Sequence, residues 1–201
     1  MDTLTLPPSA TFNALTANEP RHRTRRSALV TLGAAAAGLV FTGSAKAGIR
    51  APMTALAPRP PAPDFTLPSV AGPTYSLKQF RGTVVLINFW ATWCPPCRAE
   101  MPSIERLHRS IKSKDLQILA LDQGETQSAV FAYLGQLTPS PTFPILLDQK
   151  SKVANAFHVA GIPTTFLIDK TGHIAYKAVG GRDYADPDIR SIVETLISAK
   201  K

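Results

Sequence analysis

The 201-residue chain predicts an α/β fold with a mixed central sheet and helices on both faces. Two features of the pattern carry this. A nearly continuous apolar run, Thr83 to Trp90 (TVVLINFW), is followed by a segment of helical period and then by Leu116 to Leu121 (LQILAL). Strand, helix and strand within about forty residues make a βαβ unit with parallel strands. Further on, Thr164 to Asp169 and His173 to Val179 are joined by Lys170-Thr171-Gly172, a glycine-containing turn between two alternating runs, which predicts an antiparallel hairpin. A parallel unit followed by a hairpin gives a mixed sheet.

Taken in order, the first 63 residues read as an address and a linker. Arg21, Arg23, Arg25 and Arg26 precede an apolar run from Ala28 to about Phe41 and the small-residue pattern Ala45-Lys46-Ala47, the layout of an export signal. The run is shorter and richer in glycine than the ~20 strongly apolar residues of a membrane span, so cleavage after Ala47 is expected ahead of retention as an N-terminal anchor. Thr24-Arg25-Arg26-Ser27 resembles a twin-arginine export motif. From Gly48 to Pro63, Pro52, Pro58, Pro60, Pro61 and Pro63 occur without apolar periodicity, as in an extended linker. Asp64 to Lys201 is then left as one domain.

The strand from Thr83 to Trp90 is apolar enough to be buried on both faces, so it belongs mid-sheet. Met101, Ile104, Leu107 and Ile111 recur at three and four, predicting a helix from Pro95 to Lys112 with Pro102 bending it. Thr126 to Leu137 is expected to be helical, Phe143 to Leu147 a strand, and Val153 to Phe157 a short helix. The chain closes with an amphipathic helix over Asp186 to Lys200, Asp186 acting as cap and Pro187 as first residue.

Composition narrows the function. The net charge of +8 is partly that of the address, for the chain after Gly48 carries only a mild basic excess. No basic block interleaved with aromatics follows, so no nucleic-acid partner is expected. Two cysteines are too few for a disulfide-stapled scaffold or a four-cysteine metal site. The four histidines have no ligand spacing, so neither metal nor cofactor is expected.

Both cysteines fall in Trp93-Cys94-Pro95-Pro96-Cys97, between a buried strand and a helix start. There the unpaired N–H groups and the helix dipole favour a negative sulfur at Cys94 and lower its pKa. Pro95 and Pro96 fit the first turn, whose amides have no intrahelical partner. Cys97, one turn deeper, is placed to attack a mixed disulfide on Cys94, which makes Cys94 the attacking and Cys97 the resolving thiol of thiol-disulfide exchange. A purely structural disulfide closing so short a loop would contribute only about 2 kcal/mol before strain.

Phe89 to Arg98 (FWATWCPPCR) resembles the active-site segment of the thioredoxin fold, and Gly161 to Phe166 (GIPTTF) is similar to the loop in which that family keeps a cis-proline facing its cysteines. With Ala62 to Leu67 and Leu77 to Gly82, the resemblance is closest to the exported TlpA/ResA-type thiol-disulfide oxidoreductases. It implies that Pro163 is the cis-proline and that Ile162 offers backbone polar groups to an incoming peptide. Asn88 stands where cytosolic thioredoxin has a buried aspartate that moves protons for the resolving thiol, which Asn cannot do. Glu100, three residues after Cys97, occupies the place of a functional glutamate in TlpA/ResA-type reductases and is a candidate proton acceptor.

Trp93 and Trp90 are expected to pack and to shield the site, with Trp93 also a candidate substrate contact. Arg98 and Glu125 are expected to be solvated charges. The resemblance implies a monomer that reduces disulfides in exported proteins, apocytochrome c among them, with a membrane thiol donor, in the periplasm or on the outer face of the bacterial inner membrane. Oxidation in the opposite direction uses the same pair. A thiol peroxidase, suggested by a similarity of Asp64 to Trp93 to peroxiredoxins, would need threonine where Ala91 stands. A redox-inert binding module would have no use for both cysteines.

Overall fold

The computed structural model describes residues 52–111 and 114–200; the export-signal segment lies outside them. Strands β1 (Thr54–Ala55), β4 (Val84–Trp90), β5 (Leu116–Gln123), β6 (Ile145–Asp148), β7 (Thr164–Ile168) and β8 (Ile174–Val179) form one sheet in the order β1-β8-β7-β4-β5-β6. β4, β5 and β6 run parallel, β7 runs antiparallel against β4, and β8 turns back antiparallel against β7. The sheet is therefore mixed, and β4, with all seven residues buried, is an interior strand as its apolar run requires. A separate hairpin pairs β2 (Thr66–Pro68) with β3 (Thr74–Ser76). Its strands have three residues each, too short for an alternating pattern to mark them.

The helices are α1 (Pro95–Ser110), α2 (Gln127–Leu134), α3 (Lys152–Ala156) and α4 (Pro187–Ser198), with a 3-10 turn at Leu77–Phe80. Alternation along the strands divides the core into two faces. On one, Leu86, Trp90, Ile118 and Leu147 join Met101 and Leu107 of α1, Val130 of α2 and Val193 of α4. On the other, Ile87, Phe89, Leu121 and Phe166 join Val153 of α3, Phe157 and Phe65. Phe157 anchors this second face, its ring centroid 5.5 Å from that of Phe89 and 5.2 Å from that of Phe166.

The start of α4 follows the predicted chemistry, and side chains likewise fix the starts of α2 and α3. Asp186 caps α4 by accepting from the Asp188 amide, with Pro187 as first residue, and Thr126 caps α2 through the Ala129 amide. Asp148, at the end of β6, accepts from the amides of Val153 and Ala154 at 3.0 and 2.9 Å and so fixes the five-residue α3. Helix α2 ends at Leu134, three residues before the predicted Leu137, with Gly135 at its C-cap.

One boundary differs from the sequence reading. The proline-rich stretch to Pro63 is extended, but its described part is not a free linker. β1 pairs antiparallel with β8, and the pairing continues through Leu56 N to Ala175 O, Ile174 N to Pro60 O and Ala62 N to Gly172 O. Arg59 adds an ion pair to Asp169 at 3.1 Å. Prolines are tolerated here because an edge strand needs only alternate amides for pairing, so their density hid a strand.

Candidate active site

The C-terminal end of β4 delivers the chain to the site. Cys94 N-caps α1 in extended conformation, and Pro95 and Pro96 take the first two helical positions. Cys94 and Cys97 form a disulfide with Cα atoms 5.3 Å apart. The Cys97 amide donates to Cys94 Sγ at 3.3 Å, an orphan helix donor aimed at sulfur, which is the arrangement that stabilises a thiolate when the pair is reduced. Cys94 retains a sliver of exposure at 3%, whereas Cys97 has none, so an incoming group meets Cys94 first.

The Ile162–Pro163 bond is cis. The Gly180 amide donates to Pro163 O at 2.8 Å, tying this loop to the one that follows β8. That following loop lies against the cysteine turn: a Cβ on Gly181 would come within 3.3 Å of Pro96 Cβ, tighter than an ordinary contact, so glycine suits the close approach. Trp93 does not pack as expected; it is 66% exposed beside Cys94, and it is Trp90 that is fully buried, with its ring tilted against Tyr133. Arg98 is exposed but not simply solvated, since its guanidinium lies 5.3 Å above the Tyr133 ring.

Glu100 is not a solvated helix carboxylate. It is 2% exposed, accepts from Asn88 Nδ2 at 2.7 Å through Oε1 and from the Arg182 amide at 3.3 Å through Oε2. Burial pushes its carboxyl up to about 7, against the lowering effects of the Asn88 and Arg182 hydrogen bonds and the Arg182 charge. Asn88 Nδ2 also donates to Thr165 Oγ1 at 3.0 Å, and Thr165 hydrogen-bonds the Tyr184 hydroxyl. Burial, then the nearby Glu100 charge, hold the Tyr184 phenol above its usual range. Ser103 completes the link by donating to Glu100 O at 2.6 Å and accepting from the Tyr184 amide at 2.9 Å.

Asn88 itself holds no titratable proton. Its amide fixes Glu100, a group that both donates and accepts near neutral pH, one turn beyond Cys97. Arg182, Thr165 and Tyr184 were not legible as site residues: Arg182 reaches Glu100 and Thr165 reaches Asn88 from about 80 residues away in the chain, Tyr184 joins them through Thr165 and Ser103, and no motif marks them. The Gly180-Gly181 pair was the available signal, since adjacent glycines beyond a strand indicate a close backbone approach.

A disulfide at a strand-to-helix turn, with a cis-proline entering the strand that pairs with the same end of β4 in a mixed sheet, defines a thioredoxin-fold protein of the thiol-disulfide exchange class. Residues 58–177 match the AhpC/TSA family, and the chain belongs to it. It is 41% identical over 121 residues to the thiol-disulfide oxidoreductase ResA of Geobacillus kaustophilus, covering 60% of this chain and 68% of that one. The ResA of Geobacillus thermodenitrificans is 38% identical over 143 residues, 71% of this chain and 80% of that protein. Among solved structures, a thioredoxin-family thiol:disulfide interchange protein from Chlorobium tepidum superposes with a TM-score of 0.62 at 29% identity, covering 70% of this chain and 97% of that one. The protein is a ResA-like thiol-disulfide oxidoreductase.

Proposed function

We propose that the protein reduces disulfides of other exported proteins through Cys94 and Cys97, with apocytochrome c as the substrate class its family resemblance suggests. The observation that carries the reading is the pairing of a barely exposed Cys94 at a helix N-terminus with a buried carboxyl, Glu100, that titrates near neutrality one turn beyond Cys97.

In the reduced protein the Cys94 thiolate attacks one sulfur of a substrate disulfide, the S–S bond breaks, and the departing substrate thiolate takes a proton. Glu100 then accepts the Cys97 proton, and the Cys97 thiolate attacks Cys94 Sγ. The mixed disulfide breaks, the Cys94–Cys97 bond forms, and the second substrate sulfur leaves as a thiolate that takes the proton from Glu100, with two electrons delivered in all. A dithiol donor in the membrane restores the reduced pair. The cis-Pro163 loop supports a role for Ile162 as a backbone platform for the substrate strand, and the exposed Trp93 supports an apolar contact beside it.

The working unit in this reading is a monomer in the periplasm or on the outer face of the inner membrane. Residues 1–47 are its export signal or anchor; no helix among the described residues is long and apolar enough to cross a membrane. The folded domain takes in the segment from about Met53 that completes the sheet edge.

The test is trapping. With a disulfide substrate, Cys97→Ser accumulates a mixed disulfide on Cys94, and Cys94→Ser accumulates none. Trapping by Cys94→Ser, with the substrate on Cys97, would overturn the assignment of roles.

A further inference from the structure

Thr92, two residues before Cys94, is held at two atoms by one side chain. Its amide donates to Glu125 Oε2 at 2.6 Å and its hydroxyl to Glu125 Oε1 at 2.5 Å. Glu125 lies in the loop between β5 and α2, where the sequence suggested a solvated charge; it is half-buried, and Asp122 together with these Thr92 bonds holds its carboxyl below the usual range despite partial burial.

Behind it stands Asp122, the neighbour of Trp90 in the β4–β5 register and completely buried. Asp122 Oδ1 accepts from the Glu125 amide at 3.2 Å, while Oδ2 has no donor facing it. The two carboxyl groups shift each other in opposite directions, Asp122 up and Glu125 down, and two neighbouring carboxyls carry one negative charge at lower cost than two, so one proton is kept by the pair. Burial assigns that proton to Asp122, because the more exposed Glu125 bears the charge at lower cost.

We propose that Asp122 and Glu125 form a positioning pair for the redox turn: the Asp122 carboxyl steadies the Glu125 carboxylate, and Glu125 holds Thr92, and through it Cys94, at the helix N-terminus. The coupling to Cys94 is short, since the Cys94 amide closes the same turn on Ala91 O at 3.2 Å. The inference rests on Cys94 being the attacking thiol. It makes the clamp dependent on protonation, for loss of the shared proton sets two charges side by side. The charges acting on Asp122 are Glu125 from its own loop and Asp148 from β6, the latter committed to the α3 amides. Arg98 of α1 is occupied above the Tyr133 ring of α2.

The experiment follows alkylation of the reduced full chain by iodoacetamide against pH, with the labelled residue located by mass spectrometry. The wild type shows, besides the thiol titration, an inflection near pH 8, where burial and Glu125 place the Asp122 proton. Asp122→Asn, whose amide donates to Glu125 at every pH, loses that inflection. Glu125→Gln keeps an acceptor oxygen for Thr92 and Glu125→Ala does not, so Glu125→Ala reacts about fivefold more slowly at neutral pH than Glu125→Gln, the loss of about one hydrogen bond. Equal rates for the two Glu125 variants, or an inflection near pH 8 that survives in Asp122→Asn, would overturn the clamp alone. Preferential labelling of Cys97 would overturn the role of Cys94 and the clamp with it. Should Glu125→Ala fail to fold, the Asp122→Asn profile decides by itself.

Discussion

At Glu100 two opposed influences meet, and their balance sets its protonation. Desolvation favours the acid, the Asn88 and Arg182 donors favour the carboxylate, and desolvation wins, leaving the group near pH 7. Glu100→Gln can neither take nor give a proton there, so the rate of substrate disulfide reduction falls about 100-fold and its inflection near pH 7 disappears; an unaltered pH profile would remove Glu100 from the proton path. Tyr184→Phe deletes the hydroxyl that meets Thr165 behind Asn88, and urea unfolding is expected to register a loss of about 1 kcal/mol. At this scale the sequence marked Cys94, Cys97, Glu100 and Pro163, because a fixed spacing and a family motif surround each. It did not mark Asp122 or Glu125, since a carboxylate after a strand has the same appearance in sequence whether it faces water or a neighbouring loop.

Among the elements, β4 and α1 were readable because each has one dominant physical requirement, burial on both faces for the strand and an apolar stripe for the helix. Edge strand β1 was not, because its stability comes from β8 and not from its own residues. A chain beginning at Asp64 loses β1 and the three backbone bonds continuing it along β8 and its turn, and it is expected to be destabilised by about 3 kcal/mol in chemical denaturation. Equal stability of the shortened chain would show that the proline-rich segment is a tether after all. Helix α3, only five residues long, likewise depends on what it meets: Phe157→Ala empties the junction of Phe65, Phe89 and Phe166 at a cost of about 3–5 kcal/mol.

For the molecule as a whole, the buried acids tie stability to pH. Glu100 and Asp122 are raised to about 7 and about 8, so the folded oxidised protein keeps protons that the unfolded chain releases above roughly pH 4. Their contribution is greatest in acid and is lost as pH rises through 7 and 8. Glu105, Glu125 and Asp169 are lowered despite their burial, Glu105 by the Thr142 and Arg109 hydrogen bonds, Glu125 by Asp122 and Thr92, and Asp169 by Thr171, His173 and Arg59. They act in the opposite sense, contributing above the unfolded carboxylate range and failing as pH falls through their folded values. Thermal midpoints of the oxidised protein should therefore decline from pH 5 to pH 8, less steeply in Glu100→Gln; identical slopes would mean that Glu100 titrates alike in both states. The proposed reducing direction of the Cys94/Cys97 couple is read from its reduction potential against defined thiol-disulfide buffers. A value near or below ~−270 mV, the thioredoxin range, is predicted, and one near −120 mV would make the protein an oxidant and contradict the account.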